Sequence, residues 1–215
     1  MKNFFILLLC VLIIVSCKKK SENIIISGYI YSPLENKYLE NVKVELKGQL
    51  YENNTWNSNY NTITSVTTDA TGNFYIEHEK VRTSSLKIVA TKNKYIDTEK
   101  NIPVDNIIPG EEYKMNLKIY PLSYLLINIK NELPANDNDE ITITLNLETE
   151  TCNSCLQSNN FYYVGSQIDT MIFGKVYGEK TYTIEWTTNT NGDITQNSQN
   201  IYCAKSDTGK ITITF

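Results

Sequence analysis

The sequence is poor in the residues on which many catalytic and metal sites depend. It has one histidine among 215 residues, and alanine is scarce. A two-histidine metal centre therefore cannot form within one chain. No stretch has the 3.6-residue apolar period of a long amphipathic helix, and a net charge of −4 lacks the basic excess typical of nucleic-acid binding. We expect no metal, no other cofactor and no nucleic-acid partner.

The composition favours strands instead. Fifteen tyrosines accompany abundant isoleucine, threonine and asparagine, which are typical of strands and polar loops. The 215 residues suffice for two small domains, because a β-sandwich needs about 100 residues. The composition therefore predicts an all-β chain.

The first residues have the pattern of an export signal. Lys2 precedes 12 consecutive apolar residues, at positions 4–15, a run too short to span a bilayer comfortably. Residues 14–17 read Ile-Val-Ser-Cys, which resembles a bacterial lipobox. The resemblance implies a signal peptide at 1–16, cleavage before Cys17, lipidation of the Cys17 thiol and acylation of the new amine, for example by palmitate. An ordinary secretory signal with a coincidental cysteine is the alternative.

The residues that follow Cys17 indicate the membrane to which the protein is sorted. Lys18, rather than an aspartate, follows the proposed anchor, and by resemblance to Gram-negative sorting this favours the outer membrane. Surface-exposed lipoproteins of Bacteroidota carry an acidic run here, whereas residues 18–20 are all lysine. The periplasmic face is therefore favoured over the cell surface, which stays open. We interpret residues 17–23 as a tether, solvated or in contact with anionic head groups.

Residues 24–120 alternate between apolar and polar side chains in short segments, which predicts strands with one buried face. Turn signals at 32–36, 69–73 and 108–111 separate these segments, and about seven strands indicate a Greek-key sandwich. The apolar sets that define the strands are Ile26 and Ile30; Val42, Val44 and Leu46; Phe74 and Ile76; Leu86, Ile88 and Ala90; and Met115, Leu117 and Ile119.

Four parts of this region occur in a recognisable order. Residues 27–30 read Ser-Gly-Tyr-Ile, residues 39–46 and 67–76 follow, and residues 86–91 close the series with Tyr95. This order resembles the carboxypeptidase regulatory-like domain, a transthyretin-like β-sandwich. Gly72 permits a tight turn, Asp69 can accept backbone hydrogen bonds, and Phe74 then enters the core. The polar insertion at 49–65 departs from the pattern. The resemblance implies a fold and an accessory or adhesive role, not a reaction.

Pro121 is the expected boundary between the two domains, 24–120 and 121–215, because proline interrupts strand pairing. Residues 125–129, 141–147 and 211–215 alternate as strands, and further strands are expected at 171–176 and 181–187. The pair Asn191-Gly192 predicts a tight turn. We expect a second β-sandwich whose final strand is paired within a sheet. This part resembles no family that we can name.

Three cysteines remain in the mature part, at Cys152, Cys155 and Cys203, and disulfides persist in exported chains. We favour a bridge from Cys203 to one of the other two. The second arrangement is a local Cys152–Cys155 bridge with Cys203 buried. The third is a redox or metal site, although the chain lacks a βαβ pattern and a fourth zinc ligand.

Two further features could carry chemistry. His78 has no nucleophile-elbow glycine pattern near it, so we interpret it as a surface or edge-strand residue. Residues 136–140, Asn-Asp-Asn-Asp-Glu, are rich in oxygen but lack the glycine and glutamate spacing of an EF-hand. We expect a solvated turn there.

Four aromatic residues are candidates for stacking against sugars, although packing is the favoured interpretation. They are Trp56, Tyr60, Tyr162 and Tyr163.

The sequence as a whole predicts a non-enzymatic, membrane-anchored module that binds or scaffolds at the cell envelope, with an envelope protein or a glycan as candidate partner. The alternative is a carbohydrate- or peptide-binding accessory protein of a nutrient-uptake complex, which predicts an exposed aromatic pair over a groove. A third hypothesis, a hydrolase or redox protein centred on Cys152 and Cys155, predicts a thiol of low pKa.

Overall fold

Strands account for almost all regular structure in the part of the chain that the structure describes. The computed structural model describes residues 22–52, 54–132, 134–147 and 152–215. Within these ranges the one helical element is a 3-10 turn at Val104–Asn106, and no helix is long and apolar enough to cross a membrane. The all-β prediction is confirmed. The lipobox and Cys17 lie outside the described residues.

The first half of the described chain forms two sheets. Their strands are β1 (Asn23–Ser32), β2 (Lys37–Tyr38), β3 (Lys43–Glu52), β4 (Thr55–Trp56), β5 (Asn61–Thr67), β6 (Asn73–Glu79), β7 (Thr83–Thr91), β8 (Thr98–Ile102), β9 (Glu112–Lys114) and β10 (Leu117–Lys118). In one sheet β6 pairs antiparallel with β1, and β9 and β10 pair parallel with β1 on its other side. In the other sheet β3 lies between β5 and β7, and β8 follows β7.

The apolar side chains of the predicted alternating segments form the inner faces of these two sheets. The apolar sets named from the sequence are all buried in one core, where each fully buried aliphatic side chain contributes about 1.5–3 kcal/mol. The segment 49–65, expected only as a polar insertion, extends the second sheet. β3 continues to Glu52, β4 returns beside it, and β5 pairs with β3 from Asn61 onwards.

The turn before β6 forms as the sequence predicts. The Asp69 carboxylate accepts hydrogen bonds from the backbone N–H of Thr71 at 2.8 Å and of Asn73 at 2.9 Å. Gly72 has φ = 79°, in the left-handed region that glycine enters without strain. Phe74 then points into the core. The local sequence therefore fixes both the turn and the face on which β6 is buried.

The second half also forms two sheets that enclose a core. The strands of this half are β11 (Leu122–Lys130), β12 (Glu140–Leu145), β13 (Asn160–Val164), β14 (Asp169–Tyr177), β15 (Lys180–Thr190), β16 (Asp193–Cys203) and β17 (Thr208–Thr214). One sheet has the order β14-β11-β17 and the other the order β13-β12-β15-β16.

Two details of this half match the sequence analysis. Thr190 pairs with Asp193, so Asn191 and Gly192 alone form the loop between β15 and β16. Their φ angles of 54° and 91° are those of a two-residue hairpin loop with both residues left-handed. The final strand, β17, pairs parallel with β11 at the edge of its sheet, so it is paired as expected.

The two halves do not share a sheet among the described residues. The one backbone pairing across the expected boundary is an isolated bridge between Tyr95 and Pro121. That the halves fold independently, as domains 24–120 and 121–215, remains a prediction.

The chain enters the first sandwich at one end and leaves it at the other. Lys80 N donates to Glu22 O at 3.2 Å, and Gly110 N donates to Asn23 O at 2.9 Å. We call this end, formed by residues 22–24, 51–52, 54–56, 79–83 and 102–111, the entry end. Leu34 and Ile96, on loops at the opposite end, contact the second half. We call that contact the joint.

Candidate functional site

The cysteines form a local bridge. Cys152 and Cys155 are joined by a disulfide with Cα atoms 5.3 Å apart, so the favoured bridge from Cys203 is wrong and the second arrangement is the one observed. The physical reason is their separation in the fold. Cys152 and Cys155 pack in the joint, whereas Cys203 ends β16 and lies in the core of the second half.

Cys203 is buried with a free thiol. Burial raises the pKa of this thiol above its ordinary value, even though Gly209 and Ser123 hydrogen-bond to it. A raised pKa leaves little thiolate near neutral pH, which is opposite to what a redox or nucleophilic cysteine needs.

His78 is not part of a catalytic group that we can identify. It lies on β6 opposite Ile24 of β1, and its Nδ1 is 2.7 Å from the carbonyl oxygen of Glu79. Within the described ranges no group of three or more histidine, cysteine, aspartate or glutamate side chains could hold a metal ion.

The acidic loop at 136–140 is only partly the solvated turn that we expected. Asp139 is fully buried, and its carboxylate accepts hydrogen bonds from Asn131 Nδ2 at 3.0 Å, Asn136 N at 2.9 Å and Asn191 N at 3.3 Å. These donors, Asn131 foremost, hold the pKa of Asp139 below its ordinary value. The Asp139 carboxylate therefore fastens the β11–β12 loop to the β15–β16 loop at the end of the second half, which we call the far tip.

The joint is packed and hydrogen-bonded. The rings of Tyr120 and Tyr177 stack with centroids 4.3 Å apart. A backbone hydrogen bond crosses it from Leu122 N to Lys94 O at 2.9 Å. These contacts fix how the second half sits on the first.

One carboxylate holds the polar side of the joint. Glu35, whose side chain is 12% exposed, accepts hydrogen bonds from Tyr95 Oη at 2.6 Å and Lys205 Nζ at 3.0 Å, and pairs with Lys37. Burial alone raises the pKa of Glu35, but these donors outweigh it and hold the pKa at about 2. The ammonium of Lys205 also lies 3.7 Å from the centre of the Tyr95 ring. Lys205 comes from the second half, so this ion pair joins both halves.

Of the four aromatic candidates, two pack against neighbouring side chains and two are exposed. Tyr60 packs beneath Lys87, whose Nζ is 4.3 Å from the ring centre, and Tyr163 packs against the second core. Core packing is the wrong interpretation for the other two, because Trp56 is 57% and Tyr162 is 58% exposed. Edge packing, the other form of packing expected, is consistent with the contact between the Trp56 and Tyr51 rings.

Trp56 lies over a depression at the entry end. Its ring and that of Tyr51 are 5.0 Å apart between centroids, and both line an open cavity of about 790 Å³. Ile24 and Leu86, both buried, also line the cavity, as does Arg82. The binding-protein hypothesis predicted an exposed aromatic pair over a groove; here Trp56 is exposed, whereas Tyr51 is half-buried.

Tyr162 lies on a different surface, the outer face of the sheet β13-β12-β15-β16. In one row across this sheet, Tyr162 lies opposite Thr142, Thr142 opposite Thr187, and Thr187 opposite Gln196. Thr142, Thr187, Gln196 and Glu185 line an open trough of about 400 Å³. We call this surface the polar face.

Comparisons with known proteins give weak likenesses. No family profile matches the chain, and no curated protein matches it. Among solved structures, the Bacillus anthracis TIE protein is 12% identical with a TM-score of 0.37, covering 89% of this chain and 34% of that one. The major pilin SpaD of Corynebacterium diphtheriae is 8% identical, with a TM-score of 0.34 and coverage of 83% and 65%. The major pilin BcpA of Bacillus cereus is 10% identical, with a TM-score of 0.31 and coverage of 86% and 69%. The chain thus spans about a third of the length of the first, and likenesses this low carry no argument about function.

Sequence reasoning named Trp56 and Tyr162 but missed their surroundings. Tyr51 could have been found, because Tyr51 and Trp56 flank an asparagine-rich turn and so face each other across a hairpin. The row of threonine and glutamine beside Tyr162 needs the strand register, which the sequence does not reveal.

Proposed function

We propose that the chain is a non-enzymatic lipoprotein of the cell envelope, anchored through Cys17 in the outer membrane, that holds its second β-sandwich away from the bilayer as a binding or scaffolding element. The lipobox resemblance supports the anchor, and the order of turns and strands in the first half supports kinship with carboxypeptidase regulatory-like domains. The raised thiol pKa of Cys203 argues against a redox or nucleophilic role for this cysteine. The structural role of Asp139 argues against a metal-binding role for the acidic loop.

The observation that carries this proposal is the position of the two ends. Glu22 lies at the entry end, while the second half contacts the first at the opposite end. A protein tethered just before Glu22 therefore carries its second half on the side remote from the tether. The stacked rings and the Glu35–Lys205 ion pair keep it there.

Fractionation tests the anchor. The wild-type chain and a Cys17→Ala variant are expressed in a Gram-negative host, and membrane and soluble fractions are probed for each. We expect the wild type in the outer-membrane fraction and the variant in the soluble periplasmic fraction. A variant that stays with the membrane contradicts the anchor.

Protease treatment of intact cells then distinguishes the two faces. We expect a chain in the outer-membrane fraction to survive, which corresponds to the periplasmic face. Digestion of the chain in intact cells places it on the surface and contradicts that part of the proposal.

A second candidate function is capture of a glycan on the polar face. The specific observation is the row in which an exposed tyrosine adjoins threonine and glutamine side chains. A ring can stack on a sugar, and the neighbouring hydroxyl and amide groups can bond its hydroxyls. This surface belongs to the second half, on the side remote from the tether.

A glycan array with the mature chain tests this candidate, and Tyr162→Ala is the informative variant. If a glycan binds here, the variant should weaken binding about tenfold. Tyr75→Ala is the matched control, because Tyr75 is 53% exposed but lies on β6 of the first half. No binding on the array, or equal losses in the two variants, contradicts the candidate.

A further inference from the structure

The entry end carries more exposed apolar surface than a solvated sheet end needs. Trp56 and Ile108 are 57% and 47% exposed. Val81 and Ile107 line the same depression as Trp56. These residues come from three separate segments, the β3–β4 hairpin, the β6–β7 loop and the stretch before β9. Three segments that each place an apolar residue around one open depression make a surface rather than an isolated exposed side chain.

The length of the tether limits what can face this surface. Four residues, 18–21, lie between the proposed lipid-bearing Cys17 and Glu22. Fully extended, the five residue steps from position 17 to position 22 reach about 17 Å. Glu22 itself lines the depression. The depression therefore lies within about 17 Å of the bilayer to which Cys17 is attached.

Positively and negatively charged side chains both lie at the entry end. Lys80 and Arg82 border the depression, and Glu22 does so as well. Asp105 and Glu111 are exposed on the segment before β9. Any attraction to a bilayer at this end must therefore come mainly from Trp56 and the aliphatic residues rather than from net charge. Tryptophan suits such a place, because its ring is apolar while its N–H remains hydrogen-bonded in the head-group layer.

We propose that the entry end is a membrane-contacting surface, in which Trp56, Val81 and Ile108 enter the head-group region of the bilayer that holds the lipid on Cys17. This inference rests on the proposed anchor. The lipid supplies the attachment, and the contact fixes the tilt of the protein so that the second half stands away from the membrane.

Tryptophan fluorescence tests the contact directly, because the sequence has two tryptophans. In Trp186→Phe, Trp56 is the sole reporter. In the matched control Trp56→Phe, the reporter is Trp186, which packs against the core of the second half. Each lipidated variant is reconstituted in phosphatidylcholine vesicles, and each is also made with Cys17→Ala and mixed with the same vesicles.

For the Trp56 reporter we expect the acrylamide quenching constant to be about threefold lower in the lipidated protein than in the Cys17→Ala form, since the head-group layer shields the ring. The Trp186 reporter should give the same constant in both forms. Equal quenching of Trp56 in the two forms, with the lipidated protein floating with the vesicles, overturns the membrane contact and leaves the anchor standing. A purified wild-type chain that does not float with vesicles overturns the anchor, and the contact with it.

Discussion

Replacing Glu35 by glutamine tests whether the joint depends on one partly buried carboxylate. The pKa of Glu35 is about 2, against an ordinary value of 4.5. At about 1.4 kcal/mol per pKa unit, the folded protein favours the charged form by about 3 kcal/mol. Glutamine keeps the shape and can still accept from Tyr95, so we expect Glu35→Gln to lower the free energy of unfolding by about 2 kcal/mol near neutral pH.

The pH dependence is the sharper part of this prediction. Because folding depresses the pKa of Glu35, the stability from its charge is present above pH 4.5 and is lost as the pH falls towards about 2. The wild type and Glu35→Gln should therefore differ near neutral pH and converge as the pH falls through that interval. Urea denaturation followed by circular dichroism at a series of pH values measures the difference.

The control is Glu99→Gln, which removes a carboxylate that is 56% exposed and paired with Lys87. An exposed pair of this kind contributes less than about 1 kcal/mol. If Glu35→Gln is no more destabilising than Glu99→Gln, or if its effect persists unchanged in acid, the account of the joint is wrong.

Three other substitutions and one labelling experiment have defined outcomes. Gly28→Ala would place a Cβ 1.8 Å from the Met115 carbonyl oxygen, so urea denaturation should show a loss of more than about 3 kcal/mol or no folded protein. Gly192→Ala, where no heavy atom lies within 4 Å but φ is 91°, should cost only about 1 kcal/mol; equal effects would contradict the clash. In mass spectrometry of unreduced protein, iodoacetamide should modify Cys203 slowly when the chain is folded and rapidly after denaturation, and fast labelling of the folded protein would contradict its burial. Asp139→Asn should lower the melting temperature near neutral pH and matter less as the pH falls below 3.8, the ordinary carboxyl pKa; a difference that does not change with pH would contradict the role of its charge.

Strands are predicted most accurately from the sequence where one face of the strand is buried. Val42, Val44 and Leu46 alternate with charged residues, and all three are buried, because the pleat places alternate side chains on one side. The same dependence on a buried face explains why the sequence did not predict β16. Its first eight residues are exposed on both faces, so no apolar alternation marks them, and β15 alone pairs with it among the described strands.

The site residues depend more on distant partners. Asp139 was expected to be solvated, because its neighbours in sequence are polar. Its burial follows from Asn131 and Asn191, and Asn191 is 52 residues away. The cysteine pairing likewise depended on which core receives Cys203, and spacing alone left that open. Trp56 was named as a candidate from the sequence, but its position beside Tyr51 and near Glu22 follows from the packing of several segments.

The direction in which the strands run has a mechanical consequence. In each half the first strand pairs in parallel with the last, β1 with β9 and β10, and β11 with β17. Tension between the entry end and the far tip would pull the two members of each pair in opposite directions along their length. The hydrogen bonds between them would have to break together rather than one after another. A chain held at a membrane and pulled at its far tip would therefore meet its strongest resistance in the strands through which the load enters and leaves.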